Sequence, residues 1–232
     1  MKKSLILLVF AGLAAGVSIA VAGSFTDAFP LQNCSFTSTG KNPFFVLEPG
    51  YQLTLEGKDG EDAVRLTITV LDETKIISGI ETRIVKERET VNGELVEISK
   101  NYFAICKKNN SVFYFGEDVN NYDGGVLINH DGSWRHGVNG AHAGLIMPGI
   151  ALLGAKYYQE VAPDVALDRA QIVKVTAVVS TPAGEFHNCL GTKETTPLEP
   201  DALEYKFYAP GIGLIKDAEL ELVNVSTVAG PE

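Results

Sequence analysis

The sequence lacks the motifs on which several common enzyme classes depend. It contains no G-x-S-x-G nucleophile elbow, no C-x-x-C pair and no glycine-rich loop that opens a helix. These absences argue against an α/β-type serine hydrolase, a cysteine-based zinc site and a phosphate-cradling loop, respectively. The sequence motifs therefore identify no catalytic residues, which stay unknown. A glycosidase could still be built from scattered carboxylates, because its catalytic pair is defined by separation in space.

Positive charge is also scarce. The chain has 19 Lys and Arg against 29 Asp and Glu, for a net charge of −10. An acidic chain is poorly suited to bind nucleic acid or anionic lipid, because both repel it. We therefore expect no nucleic-acid partner and, if any charged partner, a cationic one.

Helical periodicity is missing beyond the first 22 residues, and period-two alternation takes its place. In Ala63–Leu71, Val64, Leu66, Ile68 and Val70 alternate with polar residues, which is typical of a half-buried strand. Asn92-Gly93 separates two such runs and predicts a two-residue type I′ hairpin. The pattern predicts an all-β chain of about eleven strands, an antiparallel meander that forms a sandwich or a clam-like half-barrel.

The N-terminus has the features of a secretory signal peptide. Lys2 and Lys3 precede an apolar run from Leu5 to Ala20, and Ala20–Ala22 matches the small-x-small cleavage pattern. We expect residues 1–22 to be removed and 23–232 to form one β-rich domain, secreted or periplasmic. The mature chain has no predicted transmembrane segment. An uncleaved anchor is the rival interpretation.

The few cysteines fit an oxidising compartment. Cys34, Cys106 and Cys189 allow one disulfide with one thiol left over. Cys34 lies in an N-terminal tail, and such tails are often held to the domain by a disulfide. Cys189 lies in a strand-like run, so Cys34–Cys189 is the favoured pair. The alternative is three unpaired cysteines with Cys189 in the core.

An internal repeat is visible at an offset of 105 residues. Gly79 corresponds to Gly184, and Tyr102–Ala104 corresponds to Phe207–Ala209. We expect two similar halves, about 50–116 and 154–225. Residues 117–153 would form a long Gly-rich connection, either a binding loop or a cover over a sheet edge.

Several motifs in order along the chain carry a resemblance to a known group. They are NPFFVLEPG from Asn42, MPG from Met147, and the run from Cys189 to Leu214 that contains TPLEP and EYKFYAPGIGL. The chain thereby resembles a group of secreted bacterial β-rich proteins with no established activity. The resemblance implies an exported β-rich domain and implies no chemistry.

Two acidic segments are candidate cation sites. Glu117, Asp118 and Asp123 follow a strand, although their spacing does not match the EF-hand template. Glu194 and Glu199 flank the two prolines of TPLEP, where the alternative is a stiffened hairpin turn. Calcium is the one cofactor these residues suggest; otherwise none is expected.

Aromatic residues are candidates for a ligand pocket. A curved sheet with an apolar inner face could bind a small apolar ligand or lipid, lined by Tyr102, Trp134, Phe207 and Tyr208. The same residues would serve equally as core. We expect ligand binding or structural association in the cell envelope, with an extracytoplasmic hydrolase or a calcium-stabilised surface protein as alternatives. Oligomeric state is not readable from the sequence.

Overall fold

Alternating side chains build a molecule made almost entirely of strands. The computed structural model describes residues 24–228. Within them the regular elements are strands and one 3-10 helix at Leu31–Asn33, so the all-β prediction is confirmed. The predicted signal peptide, residues 1–22, lies outside the described residues. No helix in the described part of the chain is long and apolar enough to span a membrane.

Eighteen strands are numbered in chain order within residues 24–228. They are β1 Phe36–Thr37, β2 Lys41–Asn42, β3 Phe45–Val46, β4 Tyr51–Asp59, β5 Asp62–Ile77, β6 Ile80–Val91, β7 Glu94–Cys106, β8 Val112–Asp123, β9 Val126–Asn129, β10 Trp134–Arg135, β11 His142–Met147, β12 Lys156–Tyr158, β13 Glu160–Val161, β14 Arg169–Thr181, β15 Gly184–Thr195, β16 Glu204–Ala209, β17 Gly213–Asp217 and β18 Leu220–Thr227.

One antiparallel sheet curls until its two edges meet. Its strand order is β12-β14-β15-β16-β17-β18-β4-β5-β6-β7-β8-β11-β13, and β2 and β3 form a separate hairpin. The edge strands β12 and β13 are separated in the chain by Gln159 alone. The sheet is therefore a single domain nearly closed into a barrel, which decides between the sandwich and half-barrel alternatives in favour of the curved sheet.

The first hairpins form as the sequence predicts. β5 carries Leu66 and Val70 buried on one face, with Ile68 between them on the wall of the barrel cavity. Asn92 and Gly93 connect β6 to β7 with φ values of 51° and 86°. Positive φ at both central residues is what a type I′ turn requires, so this prediction is confirmed.

The curved sheet buries both of its faces over β6, β7 and β8. The inner face packs Val85, Phe103 and Tyr114 into the largest core cluster. The outer face carries a second cluster that includes Ile84 and Tyr102, covered by aromatic residues of the N-terminal segment. Strands buried on both faces leave little apolar surface to water, which stabilises the sheet by roughly 25 cal/mol per Å² buried.

The predicted cysteine pairing is wrong. Cys34 is bonded to Cys106, with Cα atoms 5.2 Å apart, and Cys189 is a buried free thiol. The physical reason is strand pairing: β1 lies beside β7 with Phe36 opposite Cys106. This pairing brings the N-terminal segment to the outer face at the end of β7, whereas Cys189 lies in a different core cluster on β15.

The segment 117–153 is more regular than expected. It contains the second half of β8 and strands β9 to β11, so the arrangement matches the predicted cover over a sheet edge rather than the predicted binding loop. β10 and β11 both pair with β8, and Trp134 is buried. The segment thus extends the sheet beside β8. Glycines lie in the turns between its short strands. The internal repeat stays a prediction.

Candidate ligand-binding site

The barrel encloses a cavity with mainly apolar walls. Its volume is about 130 Å³. Strands from both halves of the sheet line it, together with the loop around Ile212. The apolar lining residues are Phe45, Val46, Tyr51, Leu53, Leu66, Ile68, Val70, Val85, Phe103, Ile146, Ile212 and Leu214. Several of these side chains are only half-buried, so the core is incompletely filled at this point.

Polar side chains interrupt the same inner wall. Glu87 on β6 follows Val85 by two residues, so strand alternation directs both to the inner face, and both line the cavity. Enclosure by the walls raises the pKa of Glu87 to about 7; Lys206 opposes this rise and Asp217 adds to it. A carboxyl group is thereby placed in an apolar cavity with its charge change near neutrality.

An ion cluster closes one side of the cavity. Lys206 on β16 lies opposite Thr192 of β15 and Asp217 of β17. Its Nζ is 3.1 Å from Asp217 Oδ2 and 3.6 Å from Glu194 Oε2. Burial alone would lower the pKa of Lys206, but the Asp217 and Glu194 carboxylates outweigh burial and raise it well above its ordinary value. Lys206 is therefore a fixed cation with two carboxylate partners.

Glu194 is shared between this cluster and the seam of the barrel. Its Oε1 accepts hydrogen bonds from Thr192 Oγ1 at 2.8 Å and from Gln159 Nε2 at 3.2 Å. Burial raises the pKa of Glu194, whereas Lys206 and the two hydrogen bonds favour its ionised form. Gln159 lies between the two edge strands β12 and β13. Glu194 therefore contacts both Lys206 of the ion cluster and the residue at which the barrel closes.

A second polar group lies deeper on β7 and β8. Tyr114 donates a hydrogen bond to Asn101 Oδ1, and Asn101 lies opposite Glu117. Burial raises the pKa of Glu117 to about 8, and the charges of Glu87 and Glu97 add to this effect. Burial likewise raises the pKa of Glu160 on β13 well above its ordinary value. Several inner carboxyls therefore hold protons more tightly than exposed ones.

Four buried polar atoms of the inner region make no hydrogen bond of regular geometry within residues 24–228. They are Trp134 Nε1, Tyr157 Oη, Gln159 Oε1 and Glu160 Oε2, and their residues are 3–7% exposed. Native proteins pair the large majority of such atoms. A side-chain hydrogen bond from Trp134 still favours the ionised form of Glu160, so Tyr157 Oη and Gln159 Oε1 are the two atoms of this group without a partner in the described chain.

The predicted ligand-lining aromatics do not converge. Tyr208 lines the cavity, and Trp134 packs edge-on to Tyr114 at 5.2 Å within the inner core. Tyr102 belongs to the outer cluster and donates a hydrogen bond to Asp118. Phe207 packs in a third cluster on the other side of β16. One of the four residues thus lies where the prediction placed all of them.

The residues predicted to bind metal are also distributed. Glu117 and Glu194 belong to the inner wall, whereas Asp118 pairs with Arg135 and with Lys75 at 3.2 Å on the outer face. Asp123 is exposed at the end of β8. Within residues 24–228, no group of three or more His, Cys, Asp or Glu side chains is arranged to hold a metal ion.

The TPLEP segment is a turn whose acids nevertheless share one cleft. β15 ends at Thr195 and β16 begins at Glu204, opposite Glu194, so the connection of two neighbouring strands is confirmed. Glu194, Glu199, Glu204 and Asp168 line a cleft that reaches Lys206. Lys206 also lines the main cavity, and the cleft therefore opens beside it.

The central site residues were missed by the sequence reasoning. Glu87, Gln159, Lys206 and Asp217 carry no motif. A usable signal was present in β6, where Glu87 and Glu89 continue the inward alternation of Arg83 and Val85. Carboxylates on the apolar side of an alternating strand predict a polar inner wall.

Comparison of the chain with protein-family models, with curated proteins and with solved structures found no match. The cavity is therefore the feature of the molecule that bears on its function.

Proposed function

We propose that this protein is an exported binding protein that takes a small apolar molecule or a lipid chain into its barrel. The observation that carries the proposal is a cavity of about 130 Å³ whose lining is mostly apolar and aromatic. Concave, mostly apolar cavities with a few polar groups are the usual form of small-molecule sites. A purely structural barrel would gain by filling this space, because cavities lower stability.

Export is supported by two features that are independent of the cavity. The N-terminal residues have the signal-peptide pattern. The Cys34–Cys106 disulfide is typical of proteins that fold outside the reducing cytosol. Both features support a secreted or periplasmic location.

Uptake of a neutral fluorescent probe tests the binding function. N-phenyl-1-naphthylamine brightens when it enters an apolar cavity, and we expect saturable binding to the wild-type protein. Ile68→Trp should abolish binding, because Ile68 lines the cavity and the larger side chain occupies it. Val178→Trp is the matched control, since Val178 is 58% exposed and should leave binding unchanged.

Failure of the probe to bind the wild-type protein would contradict the proposal and favour structural association instead. Equal loss in the Ile68 and Val178 variants would also count against it, because the cavity would then not be the site.

A hydrolase is the second candidate, and one observation favours it. The Glu87 carboxyl lines the cavity and has a pKa of about 7, which suits a general acid or base near neutral pH. Chromogenic glycosides and esters test this candidate: turnover that disappears in Glu87→Gln would support it, and no turnover by the wild-type protein would end it.

A further inference from the structure

The surfaces around the cavity carry far more negative than positive charge. The main cavity and the two clefts that share residues with it are lined by ten carboxylates and two lysines among the described residues. The carboxylates are Asp59, Asp62, Glu87, Glu89, Asp168, Glu194, Glu199, Glu204, Asp217 and Glu219. An entering cation is attracted by this field, and an anion is repelled.

The lysine inside the cavity is already committed to its neighbours. Lys206 Nζ lies within 4 Å of both Asp217 and Glu194. Within residues 24–228, Glu87 has no hydrogen-bond or ion-pair partner, although it lines the same cavity. One carboxyl group on the cavity wall is therefore left for a ligand.

A second, independent feature points to the same kind of ligand. Gln159 is 5% exposed, and its Nε2 donates to Glu194 at 3.2 Å. This bond fixes the amide so that Oε1 is the free end, and Oε1 has no partner within the described chain. Gln159 lines the cavity together with Glu87. Gln159 Oε1 is an acceptor, and Glu87 is an acceptor in its ionised form, so a molecule that donates hydrogen bonds and carries positive charge satisfies both.

We propose that the ligand is an amphiphilic amine, whose protonated nitrogen donates to Glu87 and to Gln159 Oε1 while its apolar body packs against Ile68, Phe45 and Leu214. The inference rests on the proposed function, since it names the class of molecule that the cavity takes. The ammonium loses water on entry, and a facing carboxylate with a neutral acceptor compensates for that loss. A neutral alcohol lacks the charge, and a carboxylate head group meets repulsion.

Three probes with one chain and different head groups test the proposal. Octylamine, octanol and octanoate are each titrated against the protein loaded with N-phenyl-1-naphthylamine, and displacement is measured. We expect octylamine to bind at least about tenfold more tightly than octanol, because charge-assisted hydrogen bonds are stronger than neutral ones. Octanoate should bind more weakly than either.

Glu87→Gln should remove the preference of the protein for the amine and leave octanol binding unchanged. Glu94→Gln is the matched control, because Glu94 is exposed beyond the hairpin turn and should keep the wild-type ranking. If Glu87→Gln does not fold, the ranking of the three probes on the wild-type protein decides the question alone.

The outcomes separate this inference from the proposed function. Fluorophore binding with octylamine no tighter than octanol would overturn the amine assignment and leave the binding function standing. Absence of fluorophore binding would overturn the proposed function and, with it, the amine assignment.

Discussion

The protein should become less stable as pH rises from about 5 to about 8.5, and Glu117 should carry a measurable share of that loss. The pKa of Glu117 is raised from 4.5 to about 8 in the folded chain. Between these values the folded chain holds a proton that the unfolded chain has lost. Stability then falls with rising pH, because the folded state binds more protons. Below about 4.5 both states are protonated and the contribution vanishes.

The size of the effect follows from the same two values. Each pH unit of such a difference costs about 1.4 kcal/mol, so the span from 4.5 to about 8 sets an upper bound of about 5 kcal/mol. Glu117 is only part-buried, and its titration is coupled to that of Glu87 and Glu97. Water entry and this coupling reduce the observable effect of Glu117 to about 2 kcal/mol.

Urea unfolding followed by the fluorescence of Trp134 measures the effect. Glu117→Gln replaces the carboxyl with a neutral group, so its free energy of unfolding should match that of the wild type near pH 5 and exceed it by about 2 kcal/mol near pH 8.5. Glu94→Gln, at an exposed position, should show no such gain. A wild-type stability that rises over this range, or a Glu117→Gln gain that is equal at both pH values, would refute the reasoning.

Three further predictions concern the frame of the barrel. The double variant Cys34→Ser with Cys106→Ser should lose about 4 kcal/mol of stability, from the closure of a loop of 72 residues. The unfolded, unreduced protein should show one free thiol in the wild type and none in Cys189→Ser; a free thiol in Cys189→Ser would contradict the pairing. Asp118→Asn should lower the melting temperature at neutral pH, because burial is outweighed by Arg135 and the pKa of this carboxyl is lowered to about 2. The stabilisation is present above the ordinary value of 3.8 and is lost as pH falls towards 2, so a deficit that persists below pH 2 would argue against this cause. Gly144→Ala should unfold at a clearly lower urea concentration, since its Cβ would lie 2.3 Å from the Gln159 backbone. Gly125→Ala is the control: its Cβ would have no atom within 4 Å, so it should lose only the left-handed strain of about 1 kcal/mol. Equal losses in the two variants would show that the backbone around Gln159 tolerates the methyl group.

The local architecture could be predicted from the sequence because its causes are local. Alternation in Ala63–Leu71 reflects the pleat, and the positive φ of Asn92 and Gly93 reflects turn chemistry. The closure of the sheet could not be predicted in the same way. It depends on the meeting of β12 and β13 around Gln159, and this contact is set by the accumulated curvature of thirteen strands.

The cysteine pairing and the site escaped prediction for a related reason. Cys34 and Cys106 meet because β1 pairs with β7, a long-range contact that no spacing reports. Glu87 and Lys206 stand 119 positions apart and meet only on the inner wall of the barrel. The acids of the TPLEP segment stand out in the sequence, but Lys206 does not, because a single lysine in a strand is indistinguishable from an ordinary surface residue.

The inner carboxyls also bear on why the barrel is built as it is. Each one that must ionise inside the walls opposes folding, and Glu87 and Glu117 both have pKa values well above 4.5. Apolar side chains of similar volume would give a more stable core. Glu87 lines the cavity, whereas Glu117 lies behind it and is hydrogen-bonded to Tyr114 and Ser99. Buried carboxyls with raised pKa values are characteristic of functional sites. The disulfide and the continuous ladder of strands stabilise the fold and offset the destabilisation by the buried carboxyls. A bound cationic ligand would reduce that destabilisation.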